Sequence, residues 1–483
     1  MPTPAEAHRG SDRLDPSIWK IISVAVLGSF LAQLDATVVN VSLSSLAVTL
    51  HSSLSTIQWG TSGYLLALAL MLPLSGWMVD RIGAKALYLA CFSAFTLSSA
   101  LCGFAWSANS LIGFRILQGM SGGLLAPMAQ MMVARAAGRR MASVLGFAAV
   151  PILVAPMLGP VIAGAILQLA SWRWLFLVNL PVGVLALVLA VLFLPNDREQ
   201  TKPRDLDLVG LALLSPGLVF FLYGLDHIRD HIGIVSLVGS ALLLVAFLRW
   251  ATRKKDKALI DLRLFKGKIF SASAATQFMT NGISFAGQML IPIFLIRVGG
   301  RSPSTTGLLL APLGLGMMCG YPFVGTWVKR FGNRKVSAAG ASLALAGTLP
   351  FIYMASHGIV IVLLACTLFI RGLGQSAVGV PSIAAAYSSV KREDLPMATT
   401  TLNIVMRIGG PTLTTICATF LGWRLGSAPS HDGMLSAFTA AFILLCTFHG
   451  FLIAAAVRLP LTVTGEMLHA TEALGLSRCT RPS

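Results

Sequence analysis

Apolar segments of about twenty residues recur along this chain, and short polar connections separate them. A helix that crosses a lipid bilayer needs about 20 mostly apolar residues, and in lipid its backbone amides must be bonded within the segment. Fourteen segments fit this description, and we number them spans 1 to 14. They lie near residues 19–41, 57–79, 86–106, 109–133, 142–168, 174–194, 208–226, 232–250, 269–297, 303–328, 336–355, 359–388, 397–424 and 436–457. The pattern predicts an all-α integral membrane protein with 14 transmembrane helices.

The composition also indicates a chain that lies mostly inside a bilayer. Of its 483 residues, 55% are hydrophobic and 11% are charged, whereas soluble domains carry about 25% charged residues. A soluble enzyme, a disordered protein and a secreted disulfide scaffold are excluded. The seven cysteines are scattered without metal-site spacing, and no Walker sequence, catalytic triad or HExxH-type motif occurs. We therefore expect a protein that is not an enzyme and that uses neither a cofactor nor ATP.

The net charge of +18 is explained by where the basic residues lie. If successive spans alternate in direction, 28 of the 36 Lys and Arg fall on the side that holds both termini, and five fall on the other side. Such an excess is typical of the cytoplasmic side, which predicts cytoplasmic termini. The other three, Arg115, Arg371 and Arg407, lie inside spans. Because the surplus is a topology signal, no nucleic-acid partner is expected.

An internal repeat predicts two similar halves. Residues 76–83 read Gly-Trp-Met-Val-Asp-Arg-Ile-Gly at the end of span 2, and 325–332 read Gly-Thr-Trp-Val-Lys-Arg-Phe-Gly at the end of span 10. Parallel halves of this kind occur in secondary transporters, with the binding site between them. The predicted organisation is an N-terminal tail (1–18), a six-helix bundle (19–195), two inserted helices (206–251), a basic loop (252–268), a second six-helix bundle (269–459) and a C-terminal tail (460–483).

Asp35 is the one carboxylate that lies well inside a span. An ionisable side chain at that depth is costly and is a functional candidate by default, and a buried carboxylate can exchange a proton near neutral pH. Arg115 in span 4 is its natural partner, with Gln118 one turn along the same face. Alternatively, Asp35 only fixes packing by pairing with Gln33, Asn40 or an arginine, and Arg115 is a helix-end arginine that reaches the interface.

Span 5 contains a motif that is rich in proline and small residues. Pro156, Gly159, Pro160 and Gly164 predict a bent helix with a close-packing face. Such a helix could seal the interface between the halves and rock with it. A simple helix kink is the alternative reading.

The turn after span 2 is a second candidate device. Gly76, Asp80, Arg81, Gly83 and Lys85 form a tight cytoplasmic turn in this prediction. Asp80 can pair with Arg135 or Arg139 of the next cytoplasmic loop and so latch one conformation. The corresponding residue of the second copy, Lys329, has the opposite charge, so we expect any latch to lie mainly in the first half.

Polar side chains inside the spans are candidates for a substrate cavity. Arg371 and Arg407 have no intramembrane acid near them in sequence, so each could bind an anionic group or pair with helix carbonyls. His449 and the other histidines near span ends are expected to be solvated or interfacial. The cavity candidates are Thr37, Asn40, Gln118, Gln277, Asn281, Gln288, Arg371, Gln375, Asn403 and Arg407.

Together these motifs resemble the major facilitator superfamily, and more narrowly its 14-span drug:proton antiporters. Residues 34–41 read Leu-Asp-Ala-Thr-Val-Val-Asn-Val, 115–119 fit Arg-x-x-Gln-Gly, and 171–181 read Ser-Trp-Arg-Trp-Leu-Phe-Leu-Val-Asn-Leu-Pro. The Gly-x-x-x-Asp-Arg-x-Gly-x-Lys turn and the span-5 motif match as well. The resemblance implies two six-helix halves with two inserted helices. It also places Asp35 and Arg115 in a central cavity and marks an exporter.

The leading hypothesis from the sequence is a proton-coupled exporter of small amphipathic compounds in the inner membrane of a bacterium. Its partners would be a small-molecule substrate, protons and the lipid bilayer, with the proton gradient as energy source and a monomer as the functional unit. A periplasmic adaptor is not expected, because the outer connection at 425–435 is short. The alternatives are an exporter of an organic anion or metabolite that uses Arg371 or Arg407, and a non-transporting membrane sensor.

Overall fold

The fold is known from a computed structural model. It describes residues 16–137, 144–146, 148, 162–196, 205–228, 230–254, 258–301, 303–427 and 430–461. All regular secondary structure in these residues is helical. The apolar segments therefore fold as their length and hydrophobicity require, since only helices satisfy their own backbone hydrogen bonds in lipid.

Helices occupy the described parts of the predicted spans, with ends that differ from the predictions by several residues. In the first half they are Pro16–Thr49 (span 1), Leu54–Met71 and Leu74–Ile82 (2), Ala84–Gly103 (3), Ala108–Ala137 (4), 162–169 (5), and Trp174–Leu177 and Asn179–Phe193 (6). The inserted pair is Leu208–Asp226 (7) and His231–Lys254 (8). The second half holds Lys268–Arg297 (9), Pro303–Leu309 and Ala311–Phe331 (10), Asn333–Ala346 and Pro350–His357 (11), Ile361–Ser388 (12), Leu395–Ser427 (13) and His431–Ala456 (14).

The predicted count of 14 transmembrane helices is not confirmed. Among the described residues, 11 helices are long and apolar enough to cross a membrane, or up to 12 if the bent pair of span 2 counts as one. Span 4 is a 30-residue helix that is not among them, and its sequence includes the polar residues Arg115 and Gln118. Most of span 5 lies outside the described residues.

The two turn motifs of the repeat have the same backbone conformation. Gly83 has φ 83° and ψ 157°, and Gly332 has φ 83° and ψ 160°, a region that only glycine adopts without strain. Two residues further on, Lys85 donates to the carbonyls of Val191 and Leu194 (3.0 and 2.7 Å) at the end of span 6.

Arg334 makes the equivalent contact in the second half. It also lies two residues after the turn glycine, and its Nε donates to the Leu459 carbonyl (2.6 Å) just after span 14. A cation at a helix C-terminus is favourable because the last carbonyls lack intrahelical partners. The repeat therefore anchors the last span of each half to the turn after its second span.

Span ends that meet in these contacts define two faces of the bundle. We call the face that carries the Gly83 and Gly332 turns the basic face, and the other one the opposite face. At the basic face one apolar cluster joins both halves, for example Leu124 and Met128 with Val380 and Leu402. Towards the opposite face the apolar side chains of each half form separate clusters. The halves therefore pack together at the basic face and separate towards the opposite face.

The inserted pair packs beside the interface between the halves. Its apolar cluster includes Leu72 of span 2 and Ile404 of span 13. Near the opposite face, the Trp59 ring of span 2 stacks on Tyr223 of span 7, with 6.0 Å between centroids. The pair therefore contacts both halves.

Candidate functional site

A buried ion pair lies in the middle of the first half. Arg115 Nη1 donates to Asp35 Oδ2 at 2.6 Å, and both side chains are almost completely buried. Asp35 lies near the centre of the 34-residue helix of span 1, so the pair is far from both ends of the bundle. The structure thus places in contact the acid and the arginine that the sequence predicts as partners.

Two amides complete the coordination of the Asp35 carboxylate. Gln118 Nε2 and Asn179 Nδ2 donate to Asp35 Oδ1 at 3.1 and 2.9 Å. The orientation of Gln118 is fixed because its Oε1 accepts from Arg115 (2.7 Å), and Asn179 also donates to Ser99 Oγ (3.1 Å). All three groups that contact the carboxylate are donors, so the arrangement fits an ionised Asp35. A proton on Asp35 would displace at least one of them.

Asn179 was not among the residues selected from the sequence. It is 1% exposed and begins the second helix of span 6, which places its amide at the same depth as Asp35. The sequence signal at this position is the Asn-Leu-Pro string at 179–181, which belongs to the family pattern.

Arg115 is held by aromatic and backbone groups as well as by Asp35. Its guanidinium lies 4.2 Å from the centre of the Tyr64 ring, and Nε donates to the Gly60 carbonyl at 3.3 Å. Gly119 lies so close to the Tyr64 carbonyl that an added Cβ would collide with it. The Arg-x-x-Gln-Gly pattern therefore provides two of the three donors to Asp35 and also the close contact between spans 2 and 4.

The corresponding place in the second half holds an arginine without an acid. Arg371 is fully buried, and among the described residues only its Nη2 finds an acceptor, the Ile283 carbonyl at 3.2 Å. Its Nε and Nη1 are buried and have no hydrogen-bond partner in this part of the chain. The guanidinium packs so tightly on Gly287 of span 9 that a Cβ there would overlap it. The two halves thus differ at this position, because the first has an ion pair and the second an uncompensated cation.

Arg407 occupies a different environment from Arg371. It is partly buried, and in the described part of the chain it makes no hydrogen bond or ion pair. It lies on span 13 within electrostatic range of Tyr64, the residue that stacks on Arg115. Tyr64 therefore contacts the ion pair of the first half and lies within electrostatic range of the cation of the second half.

The other cavity candidates divide into structural and accessible residues. Gln277 is buried and bonds span 12 through Gly379 and Ser382 (both 2.6 Å). Asn281 is half-buried and donates to the Gln277 carbonyl of its own helix (3.1 Å). Gln288 is exposed.

Three further candidates give less information about a cavity. The Thr37 hydroxyl donates to the Leu34 carbonyl one turn back (2.9 Å). Gln375 is 7% exposed. The side chain of Asn40 lies outside the described part of the structure.

Polar contacts close the interface between the halves near the basic face. Gln130 Oε1 of span 4 accepts from the Tyr387 hydroxyl of span 12 (2.8 Å) and from Asn403 Nδ2 of span 13 (2.9 Å). The hydroxyls of Ser75 and Thr400 also meet across the interface, at 2.7 Å. We call these five residues the basic-face latch. Asn403 was expected in a substrate cavity, and the structure places it in this contact.

The turn after span 2 contributes to the same closed interface. A Cβ on Gly76 would meet Thr400 Oγ1 and the Pro396 carbonyl at 3.0 and 3.1 Å, so glycine permits span 2 to lie directly against span 13. Arg81 is exposed and lies over the Trp77 ring, with 5.5 Å to its centre.

The predicted ionic latch and the span-5 motif are only partly covered by the structure. Asp80 and Arg135 are half-buried and each has a partner, but Arg139 lies outside the described residues. Pro156, Gly159 and Pro160 do too. Gly164 lies in the helical segment 162–169, and a Cβ on it would meet no atom within 4 Å.

The expectation for His449 was wrong. It is fully buried in span 14, where Nδ1 lies 2.9 Å from the Leu445 carbonyl and Nε2 lies 3.4 Å from Thr348 Oγ1 of span 11. The ring packs inside the second half because its helix turns this position away from lipid. Among the described residues, no cluster of His, Cys, Asp or Glu could hold a metal ion.

Comparisons with known proteins identify the family of the chain. A family model described as Major Facilitator Superfamily matches residues 25–411 and 269–471. The chain is 34% identical over 422 residues to the multidrug resistance protein B homolog of Mycobacterium tuberculosis, covering 86% of this chain and 78% of that protein. It is 33% identical over 374 residues to the putative multidrug resistance protein MdtD of Escherichia coli, covering 76% and 78%.

Solved structures show the same fold at low sequence identity. The human organic anion transporter MFSD10 (TETRAN) aligns with a TM-score of 0.61 at 15% identity, over 90% of this chain and 100% of that one. The proton:xylose symporter XylE aligns with a TM-score of 0.61 at 15% identity, over 90% and 96%. At this identity the likeness is one of fold alone.

Proposed function

Since this chain belongs to the Major Facilitator Superfamily, we propose that it is a proton-coupled exporter of small amphipathic compounds that works by alternating access. Membership in this superfamily makes it a multi-span membrane transporter rather than an enzyme. The names of its relatives at about 33% identity support drug efflux. The antiport of protons is our inference from the site.

The observation that carries the proposal is the Asp35 network. A carboxylate buried at mid-depth and bonded to Arg115, Gln118 and Asn179 is a reversible proton acceptor whose two states need different surroundings. When Asp35 is ionised, Arg115 is neutralised and the network is closed. When Asp35 takes a proton, Arg115 loses its counter-ion, and spans 1, 4 and 6 lose at least one of the bonds that join them.

Proton binding is then linked to conformation. A proton that binds more tightly to one facing state than to the other shifts the equilibrium between the two states by the difference in its binding free energies. The substrate acts through the same conformational equilibrium. The structure has the latch of the basic face closed, while the two halves have separate apolar clusters towards the opposite face. Transport would require this latch to open and the opposite face to close.

We assign the basic face to the cytoplasm, because basic connections are retained on that side. Both termini are then cytoplasmic, and the closed latch means that the described conformation faces outward. The cell inner membrane of a bacterium is the matching location, since bacterial relatives share most of the chain. No appended partner is needed for the mechanism, so we propose a monomer that is driven by the proton gradient alone.

The test is proton exchange in everted membrane vesicles. Vesicles that contain the protein are acidified by respiration, and a panel of amphipathic compounds is added while a pH-sensitive dye reports the interior. Wild type should release protons on addition of a substrate, and Asp35→Asn should not, although it reaches the membrane in equal amount. The matched control is Asp226→Asn, an acid whose side chain is 70% exposed at the end of span 7. Undiminished proton release in Asp35→Asn would refute the coupling role.

A further inference from the structure

Arg407 is a cation whose partner is not in the described chain. It is only partly buried and has no hydrogen bond or ion pair there. Nε and Nη1 of Arg371 are completely buried and lack a hydrogen-bond partner among the described residues, whereas no nitrogen of Arg407 is in this situation. The guanidinium of Arg407 therefore reaches open space, while that of Arg371 is enclosed by protein. Of the two arginines deep inside the spans of the second half, Arg371 and Arg407, only Arg407 can meet a ligand in the described structure.

The position of Arg407 places that open space between the two halves. Thr400, Asn403 and Arg407 follow a helical spacing of three and four residues, so they share one face of span 13. The first two contact Ser75 and Gln130 of the first half. Arg407 continues this face away from the basic face, about 18 Å from the start of the helix at 1.5 Å per residue. It therefore lies near the middle of a bilayer about 30 Å thick.

The charges that meet at this depth do not balance. Arg115 is neutralised by Asp35, and Tyr64, which lies within electrostatic range of Arg407, is uncharged. In the described part of the structure no acid other than Asp35 lies well inside a span, since Asp80, Asp226 and Asp432 are at helix ends. The residues that face each other across the halves therefore carry one net positive charge. An uncompensated arginine at this depth is costly, and a bound anion would remove the cost.

Apolar surface lies beside the cation. Phe285 of span 9 is 53% exposed and packs over Gly410, one turn beyond Arg407. Gln288, one turn beyond Phe285 on span 9, is exposed as well. A planar guanidinium binds carboxylate and sulfonate groups through paired hydrogen bonds, and the phenylalanine ring provides a surface for an apolar body.

We propose that Arg407 is the anion-binding residue of the transport site, and that the transported compounds are amphipathic monoanions. This inference rests on the proposed function, because it names the substrate class of the same interface. Lipophilic cations are disfavoured there, since the one intramembrane acid is already paired with Arg115 and Arg407 adds repulsion.

Two probes with one apolar body and opposite permanent charges test the proposal. These are radiolabelled naphthalene-2-sulfonate and N,N,N-trimethyl-2-naphthylammonium, whose charges do not change with pH. Equilibrium binding is measured on the full-length protein in nanodiscs, without any proton gradient. The variants are Arg407→Gln and Arg407→Lys. The matched control is Arg424→Gln on the same helix, where the guanidinium bonds Ser436 near the helix end (3.1 Å).

Wild type should bind the sulfonate at least about tenfold more tightly than the ammonium probe, which corresponds to about 1.4 kcal/mol of binding free energy. Arg407→Gln should lose this preference, Arg407→Lys should keep part of it, and Arg424→Gln should keep all of it. Tighter binding of the ammonium probe by wild type, no binding of the sulfonate, or an unchanged preference in Arg407→Gln would each overturn the proposal. Equal loss of both probes in both Arg407 variants would assign Arg407 a purely structural role.

The outcome is separable from that of the vesicle experiment. A sulfonate preference that depends on Arg407, together with proton release that does not depend on Asp35, would support the anion site and refute proton coupling. The reverse pair of results would support proton-coupled export and refute the anion site.

Discussion

Replacement of Gln130 by leucine should open the basic face. Gln130 Oε1 accepts hydrogen bonds from Tyr387 and Asn403 of the other half, and both donors are buried. Leucine has a similar size and no acceptor. In the closed state the Tyr387 hydroxyl and the Asn403 N–H that points to Gln130 would then be buried without an acceptor, while Asn403 Nδ2 keeps its bond to the Thr399 carbonyl (2.8 Å). In the open state water can satisfy both lost contacts.

The magnitude follows from the two bonds. Each contributes about 0.5–1.5 kcal/mol net, so their loss should shift the equilibrium by about 1–3 kcal/mol towards the open basic face. At about 1.4 kcal/mol for each factor of ten, the open population should rise roughly 5- to 140-fold. The Ser75–Thr400 contact remains, so the latch should weaken rather than disappear.

Hydrogen–deuterium exchange with mass spectrometry can measure this shift in nanodiscs. Peptides that cover 123–137 and 380–402 should exchange faster in Gln130→Leu, while peptides of span 14 should not change. The matched control is Gln168→Leu, which removes an exposed amide towards the opposite face. Unchanged exchange at 380–402 in Gln130→Leu, or equal acceleration in Gln168→Leu, would contradict the assignment of these contacts as a latch.

Two further predictions concern folding and packing. Asp207 caps span 7. Burial opposes the ionisation of its carboxyl group, but hydrogen bonds, chiefly from Trp250, have the larger effect and hold the pKa of Asp207 below its usual range. A lowered pKa stabilises the fold at pH values above the pKa of Asp in the unfolded chain, about 3.9, and that stability is lost as the pH falls through the pKa of the folded state. The unfolding temperatures of wild type and Asp207→Asn should therefore differ at pH 7 and converge in acid. A difference that stays constant with pH would contradict the linkage. Gly119→Ala should lower the unfolding temperature and transport because its methyl collides with the Tyr64 carbonyl, whereas Gly113→Ala, which meets no atom within 4 Å, should change neither; equal effects of the two would disprove the close contact.

Short-range sequence patterns were sufficient to identify the family and to predict that the chain is helical. A stretch of about twenty apolar residues forms a helix in lipid whatever its neighbours are, so the described spans agree with the sequence to within several residues. Asp35 and Arg115 could also be found from the sequence, because a charged residue inside an apolar segment stands out against its surroundings. The number of membrane-crossing helices remains a prediction, since spans 4 and 5 are not among the helices that meet the hydropathy criterion.

The residues that complete the site carried no comparable signal. Asn179, Tyr64, Gln130 and Tyr387 are ordinary polar or aromatic residues in helices, and each matters because of a partner far away in the chain. His449 shows the converse, since its position near the end of a span predicted an interfacial ring that the structure buries.

The sequence determined that the chain is helical, that it resides in a membrane and that it belongs to a transporter superfamily, because length, hydrophobicity and local motifs act within single segments. Only the tertiary structure decided that Arg115 is neutralised while Arg371 and Arg407 are not, and that one of these two is sealed and the other open. Charge compensation depends on which side chains meet across helices, and no spacing along the chain specifies that.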